Sequence, residues 1–135
     1  MAPATSTDNP SGSKRNTRHM GRKGEDVALL FLQHRGYRII ERNYRCRFGE
    51  VDIIAADGDI IVFIEVKSRT SDRFGRPEEA VVTRKQHKIS QTARHFLATH
   101  NLVDRDARFD VVAIHFSPGG ETVELIQDAF EPVPS

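Results

Sequence analysis

Three charged residues, Asp52, Glu65 and Lys67, have the side-chain types that hydrolysis of a phosphodiester requires. Carboxylates are the ligands that Mg²⁺ prefers, and one or two of them complete its shell together with substrate oxygens and water. The metal would polarise the phosphoryl oxygen and position the attacking water. A lysine two residues after an acid can orient that water or neutralise charge that develops on the phosphate.

Two apolar runs around these residues predict the strands of one hairpin. The runs cover residues 50–56 and 60–68, and Asp57-Gly58-Asp59 separates them. An Asp-Gly pair between apolar runs is a strong hairpin signal. We therefore expect the two acids to come from neighbouring strands.

The length of the turn decides whether the acids meet. Side chains alternate along a strand, so Glu65 and Lys67 share a face. A two-residue turn that starts at Asp57 or at Gly58 places Asp52 on that same face, whereas a three-residue loop would place it on the other face unless a bulge intervened. Neighbouring buried carboxylates repel, and one would hold a proton unless a cation lay between them. The alternative is a surface hairpin whose lysine only forms a salt bridge.

The elements around the hairpin predict an α/β protein with a mixed central sheet flanked by helices. Helical spacing of apolar residues, strand-like runs and turn residues divide the chain into two helices and five strands. The predicted order is αβββαββ: helix 24–35, strands 37–44, 50–56 and 60–68, helix 83–99, and strands 108–116 and 122–127.

Composition divides the 135 residues into one domain with two short ends. Residues 1–20 are polar and basic and predict a disordered arm, residues 21–130 form the α/β domain, and residues 131–135 form a short tail. The single cysteine, Cys46, excludes a disulfide framework. There is no apolar run of the roughly 20 residues that a membrane helix needs, and no signal-like N-terminus. We expect a cytoplasmic protein.

Charge is distributed unevenly along the chain although the net charge is +1. Residues 1–24 and 35–94 each carry an excess of four positive charges, and residues 95–135 carry an excess of five negative charges. A basic face beside an acidic one is compatible with nucleic-acid binding. Ordinary solvated surface charge is the alternative.

The motifs together resemble the PD-(D/E)XK nuclease superfamily and, within it, the YraN family, which is similar to archaeal Holliday-junction resolvases. The resemblance covers roughly residues 21–127 and implies a restriction-endonuclease-like core. One departure is that Val51 precedes Asp52, where the superfamily's name has proline. The matching segments are Gly24-Glu25, Gly36-Tyr37, Arg42-Asn43, 49–54, 63–69, Phe74-Gly75, Pro77, 79–81, Lys85, Lys88-Ile89 and 108–112.

The resemblance implies a Mg²⁺- or Mn²⁺-dependent nuclease that cuts DNA, including branched recombination or repair intermediates. Asp52 and Glu65 match the metal ligands and Lys67 the catalytic lysine, while Glu25 matches a helix-borne acid that joins the catalytic and metal site. From the residues alone, Glu25 lies on the apolar stripe of its helix and needs a partner. An acid favoured by the helix N-terminus is the alternative. The likeness to resolvases also implies a homodimer.

Five basic residues are candidate contacts to nucleic acid: Arg69, Arg73, Arg76, Lys85 and Lys88. The three arginines lie in a basic loop that leads away from the hairpin and suits backbone contacts. Lys85 precedes Ile89 by four residues and so faces inward, with a solvated first-turn lysine as the alternative. Asp110 has no second acid nearby in its strand and is expected to be structural.

Two other functions remain open from the sequence. The first is a nucleic-acid-binding module that keeps the nuclease fold without cutting. The second is a protein-interaction adaptor in which the hairpin acids form only salt bridges. The set of Asp52, Glu65 and Lys67 favours the nuclease over the adaptor, but it does not separate the nuclease from the non-cutting module.

Overall fold

The structure, a computed structural model, describes residues 13–70 and 83–134, with side chains described from Lys23 onward. Within those ranges the elements are α1 (Ser13–His34), β1 (Arg38–Cys46), β2 (Gly49–Asp57), β3 (Ile60–Arg69), α2 (Thr83–Thr99), β4 (Ala107–Ser117) and β5 (Gly120–Ile126). The predicted order αβββαββ and the α/β class are confirmed. Of the described helices, neither has the length and apolar character needed to cross a membrane.

The five strands form one mixed sheet in the order β1-β2-β3-β4-β5. Neighbouring strands are antiparallel except for β3 and β4, which are parallel and are connected through α2. The central strands β2 and β3 are covered on both faces, which explains their nearly continuous apolar runs. The mixed central sheet predicted from the sequence is therefore confirmed.

The two helices cover opposite faces of this sheet. On one face, Phe96 of α2 belongs to the same apolar cluster as Phe63 of β3. On the other face, Leu32 of α1 shares a cluster with Ile64. Because side chains alternate along a strand, Glu65 belongs to the face that α2 covers.

The helix α1 begins earlier than the sequence predicted. It starts at Ser13 rather than Gly24, so residues 13–20, which were predicted as part of a disordered arm, are helical. An apolar stripe marks only the part of a helix that packs against a core, and the polar start of α1 carries no such stripe. Residues 1–12 of the predicted arm lie outside the described residues.

The turn between β2 and β3 has the two-residue form that brings the acids together. It consists of residues 58–59, and its glycine has φ +63, a conformation that favours glycine. The pairing that follows runs to Ile53 opposite Ile64. Extended by one residue, this register would bring Asp52 level with Glu65, as the predicted turn that starts at Gly58 does.

The predicted C-terminal tail contacts α2 through the backbone of Val133. Its N–H donates to Oγ of Ser90 at 2.9 Å, and Nη1 of Arg94 donates to its carbonyl at 2.8 Å. These bonds tie the end of the chain to the helix that covers the face of Glu65.

Candidate functional site

The two hairpin acids lie at the end of β2 and β3 that is far from the turn. The side chain of Glu65 is 5% exposed, and Asp52 is partly buried. Oδ2 of Asp52 accepts a hydrogen bond from the backbone N–H of Val66 at 2.8 Å. Since Val66 directly follows Glu65, this bond holds the Asp52 carboxylate beside the next strand.

The environment of the two carboxyls disfavours their charged forms. The pKa of Glu65 is raised to about 7, first by burial and then by the negative charge of Asp52. Burial also raises the pKa of Asp52, against the opposing effect of the hydrogen bond from Val66. A cation placed between the two carboxyls would favour their charged forms.

Two lysines accompany the acids. Nζ of Lys85 lies 3.1 Å from Oε1 of Glu65, and Lys67 follows Glu65 on the same face of β3. Burial and the charge of Lys85 lower the pKa of Lys67. Burial also acts to lower the pKa of Lys85, but attraction to the two acids outweighs it, so this pKa is raised. The inward direction predicted for Lys85 is observed, whereas its contact with nucleic acid stays a prediction.

Glu25 approaches this site from α1. A Cβ atom at Gly24 would overlap the hydroxyl of Ser68, so glycine lets α1 come against the end of β3. The carboxylate of Glu25 lies 3.8 Å from Arg42, and its pKa is raised first by burial and then by the charge of Asp52. Glu25 is thus close enough to respond to Asp52 but pairs with Arg42, a partner that no sequence signal identified.

The paired carboxylates of Asp52 and Glu65 suit a divalent cation. Within residues 13–70 and 83–134, no three His, Cys, Asp or Glu side chains are grouped so as to hold a metal ion. The three predicted ligands therefore do not form one set, and Glu25 as a ligand stays a prediction. Mg²⁺ needs only one or two protein carboxylates when substrate and water supply the other oxygens.

The predicted nucleic-acid contacts are only partly described. Arg69 ends β3, two residues beyond Lys67. Lys88 is exposed on α2, nearly one turn beyond Lys85. Arg73 and Arg76 lie outside the described residues.

A second group of charges, the Asp110 network, lies on the face that α1 covers, with Asp110 on β4 beside Ile64 of β3. Oδ2 of Asp110 accepts a hydrogen bond from the hydroxyl of Tyr37 at 2.8 Å, and Oδ1 accepts from Nε of Arg108 at 2.9 Å. The backbone N–H of Asp128 also donates to Oδ1, at 3.0 Å. Arg108 contacts Asp57 as well, at 2.9 Å. The Asp110 network therefore links β4 to three other parts of the fold, the segment before β1, the end of β2 and the segment after β5, as the expected structural role of Asp110 requires.

The fold and the hairpin site define a class, an α/β domain whose central strands carry paired carboxylates and a lysine. Residues 24–114 match the profile described as "Uncharacterised protein family UPF0102", and the chain belongs to this family. It is the YraN family, a PD-(D/E)XK nuclease-like family, so the resemblance predicted from the motifs is confirmed.

Bacterial relatives match most of the chain. A UPF0102 protein of Syntrophus aciditrophicus is 56% identical over 82% of this chain and 87% of its own length. A UPF0102 protein of Geobacter metallireducens is 47% identical over 86% of this chain and 95% of its own.

Solved structures show a much looser likeness. Pyrococcus furiosus SfsA in complex with Ca²⁺ gives a TM-score of 0.38 at 13% identity, over 82% of this chain and 63% of that one. The structure of SSO0001 gives 0.37 at 12% identity, over 86% of this chain and 54% of that one. This chain thus spans less than two thirds of either protein, and likeness at this level says nothing about activity.

Proposed function

We propose that the protein is a metal-dependent nuclease that hydrolyses phosphodiester bonds in DNA. Membership of a nuclease-like family supports this reaction class. The observation that carries the proposal is the buried pair of Asp52 and Glu65, which is accompanied by Lys67 and Lys85. Two neighbouring carboxyls whose charged forms are disfavoured add little to the stability of a fold. Groups with such perturbed pKa values concentrate at functional sites.

Each of these residues has a distinct role in the proposed reaction. Asp52 and Glu65 would hold Mg²⁺ or Mn²⁺, which when bound polarises a phosphoryl oxygen and lowers the pKa of a water molecule. The bond from Val66 fixes the orientation of Asp52. Lys67 donates hydrogen bonds to the phosphate and neutralises charge that develops there. Lys85 neutralises Glu65 before substrate arrives.

Finer parts of the proposal come from the likeness to resolvases. They are a supporting role for Glu25, action on branched recombination or repair intermediates, and a homodimer. A location in the cytoplasm is proposed separately, from the sequence composition. In this scheme Glu25, next to Arg42, adds negative charge at the α1 side of the site.

Cleavage assays test the nuclease proposal directly. Labelled linear duplex, single-stranded, flap and four-way-junction DNA are incubated with Mg²⁺ or Mn²⁺ and with wild type, Asp52→Asn or Lys67→Met protein. We expect wild type to cut, and each variant to be at least about a hundredfold slower. Arg38→Ala, at an exposed position of β1 near the other end of the sheet, should cut like wild type. Equal cleavage by wild type and Asp52→Asn would assign the activity to a contaminant and overturn the proposal.

A nucleic-acid-binding protein that does not cut is the second candidate. The observation that favours it is that the described residues do not group a third metal-binding side chain with Asp52 and Glu65. Salt-sensitive retention of DNA without cleavage in either metal would support this candidate over the nuclease.

A further inference from the structure

A groove beside the carboxylate pair opens between the start of β2 and the first turns of α2. Its volume is about 690 Å³, and its described lining includes Gly49, Arg84, Lys85, Lys88 and Ile89. Lys85 belongs to both features, since the same ammonium group lies 3.1 Å from Oε1 of Glu65. The groove therefore borders the proposed reaction site at Lys85.

The described lining of the groove carries a net positive charge. Arg84, Lys85 and Lys88 all come from α2, and the first and last of them are exposed. The described acid in the lining is Glu50, whose Oε1 lies 2.8 Å from Nε of Arg45. Because that acid is already paired, the cations of α2 determine the character of the groove.

The floor of the groove is apolar and closely packed. Ile89 is 2% exposed and belongs to the core beneath the groove. A Cβ atom at Gly49 would lie 3.3 Å from Oγ1 of Thr92, so the glycine lets the start of β2 rest directly against α2. These contacts join the start of β2 to α2 beneath the groove.

We propose that this groove binds one unpaired nucleic-acid strand beside the bond that is cut, with Arg84 and Lys88 contacting its phosphates. This inference rests on the proposed nuclease function and names its substrate class, DNA with an unpaired strand at the cutting site. The volume falls within the roughly 300–1,000 Å³ of pockets that enclose small ligands, which suits a short piece of one strand rather than two paired strands. A positive groove that follows the backbone is how proteins bind single strands without sequence preference.

The shared Lys85 supplies the link between binding and reaction. A strand whose phosphates follow Arg84 and Lys88 along α2 passes Lys85 and reaches Glu65. Its backbone is thereby directed to the carboxylate pair. Lys85 and Lys88 were among the nucleic-acid contacts predicted from the sequence. Arg84 was not, because one arginine on a helix carries no signal of the groove that the helix forms with β2.

Binding is measured by fluorescence anisotropy in EDTA, where no metal-dependent cleavage occurs, with a labelled single strand, a flap and a duplex of equal length. We expect wild type to bind the single strand and the flap about tenfold more tightly than the duplex. The double variant Arg84→Ala/Lys88→Ala should lose about tenfold in affinity for the single strand. It should also reduce the slope of log K against log salt by about 1.4, since each phosphate contact on a single strand contributes about 0.7.

Two matched proteins separate this site from general charge effects. The double variant Arg35→Ala/Arg38→Ala removes the same charge at exposed positions outside the groove and should keep the wild-type slope. The charge-preserving variant Arg84→Lys/Lys88→Arg should restore binding and the slope.

Three results would overturn the groove proposal. They are equal affinity of wild type for duplex and single strand, wild-type affinity and slope in the Arg84/Lys88 alanine variant, and absence of single-strand binding by wild type. The cleavage assay decides the nuclease proposal independently, because a protein that cuts duplex DNA as well as flaps would remain a nuclease without this groove.

Discussion

Two groups of charges lie on opposite faces of the sheet, and they differ in how their charge is balanced. In the Asp110 network, on the face that α1 covers, Asp110 accepts hydrogen bonds from Tyr37, Arg108 and the backbone of Asp128. In the candidate site, on the face that α2 covers, Asp52 and Glu65 lie beside each other, and burial raises the pKa of both.

The difference separates charge that supports the fold from charge that is available for chemistry. Hydrogen bonds from Arg108 to Asp110 raise the pKa of the arginine, so the network holds its charges in place. In the site, the negative charge of Asp52 disfavours the ionisation of Glu65, and the positive charge of Lys85 opposes this effect. The Asp110 network should therefore tolerate no loss of charge, whereas the site should tolerate loss of an acid but lose its response to cations.

Asp110→Asn should produce the largest loss of stability. An amide offers one acceptor oxygen in place of two, so Arg108 or the O–H of Tyr37 loses the acceptor that Asp110 provides. Breaking a buried charged network costs about 3–5 kcal/mol. Urea unfolding monitored by circular dichroism measures the change. A loss below about 1 kcal/mol would show that this network does not stabilise the fold as described.

Glu65→Gln should change the pH dependence of stability. The pKa of Glu65 is raised from 4.5 to about 7, so the folded protein binds this proton more tightly than the unfolded chain does. The group therefore contributes stability below pH 4.5, and this contribution is lost as the pH rises through about 7. In EDTA, the variant should become progressively more stable than wild type across this range. A constant difference in unfolding free energy from pH 5 to pH 8 would contradict it.

Lys85→Met should have a smaller effect on stability and a clear effect on cation binding. Among the described residues, its ammonium group is the cation paired with Glu65. Because the lysine side chain is 43% exposed, its loss should lower the free energy of unfolding by no more than about 1 kcal/mol. Without it, the carboxylate pair should gain more from Mn²⁺. Thermal melting with and without Mn²⁺ checks this: the rise in Tm should be larger in the variant than in wild type. An equal or smaller rise would show that the lysine does not compete with the cation.

Asp52→Asn should have the smallest effect on stability, within about 0.5 kcal/mol in EDTA. The amide oxygen can still accept the hydrogen bond from Val66, and repulsion with Glu65 is relieved. This change is the isosteric counterpart of Asp110→Asn, so the two variants compare the site and the Asp110 network with the same chemistry. The Mn²⁺-induced rise in Tm should disappear. Destabilisation equal to that of Asp110→Asn would remove the distinction between the two groups.

The parts of the site that depend on neighbouring residues in the chain were predictable from the sequence. Strand alternation and a two-residue turn place Asp52 and Glu65 together, and helical spacing points Lys85 inward, because each depends on neighbours along the chain. The pairing of Glu25 with Arg42 was not predictable, since it joins two elements whose packing no local pattern records. The partners of Asp110 were missed for the same reason.

The fold shows the same limit at its N-terminus. The start of α1 was placed at Gly24 because the apolar stripe becomes visible only where the helix meets the sheet, whereas the helix itself begins at Ser13. The strands were located within a few residues, since turn residues such as Gly58 mark their ends directly.

The different connections of the strands also have a consequence for folding kinetics. A two-residue turn joins β2 and β3, whereas the parallel pairing of Ile61 with Ala107 closes a much longer segment that includes α2. Contacts between distant parts of a chain form more slowly than local ones. We therefore expect the acids to come together in an early, local step, and Lys85 to reach Glu65 only as α2 packs on the sheet.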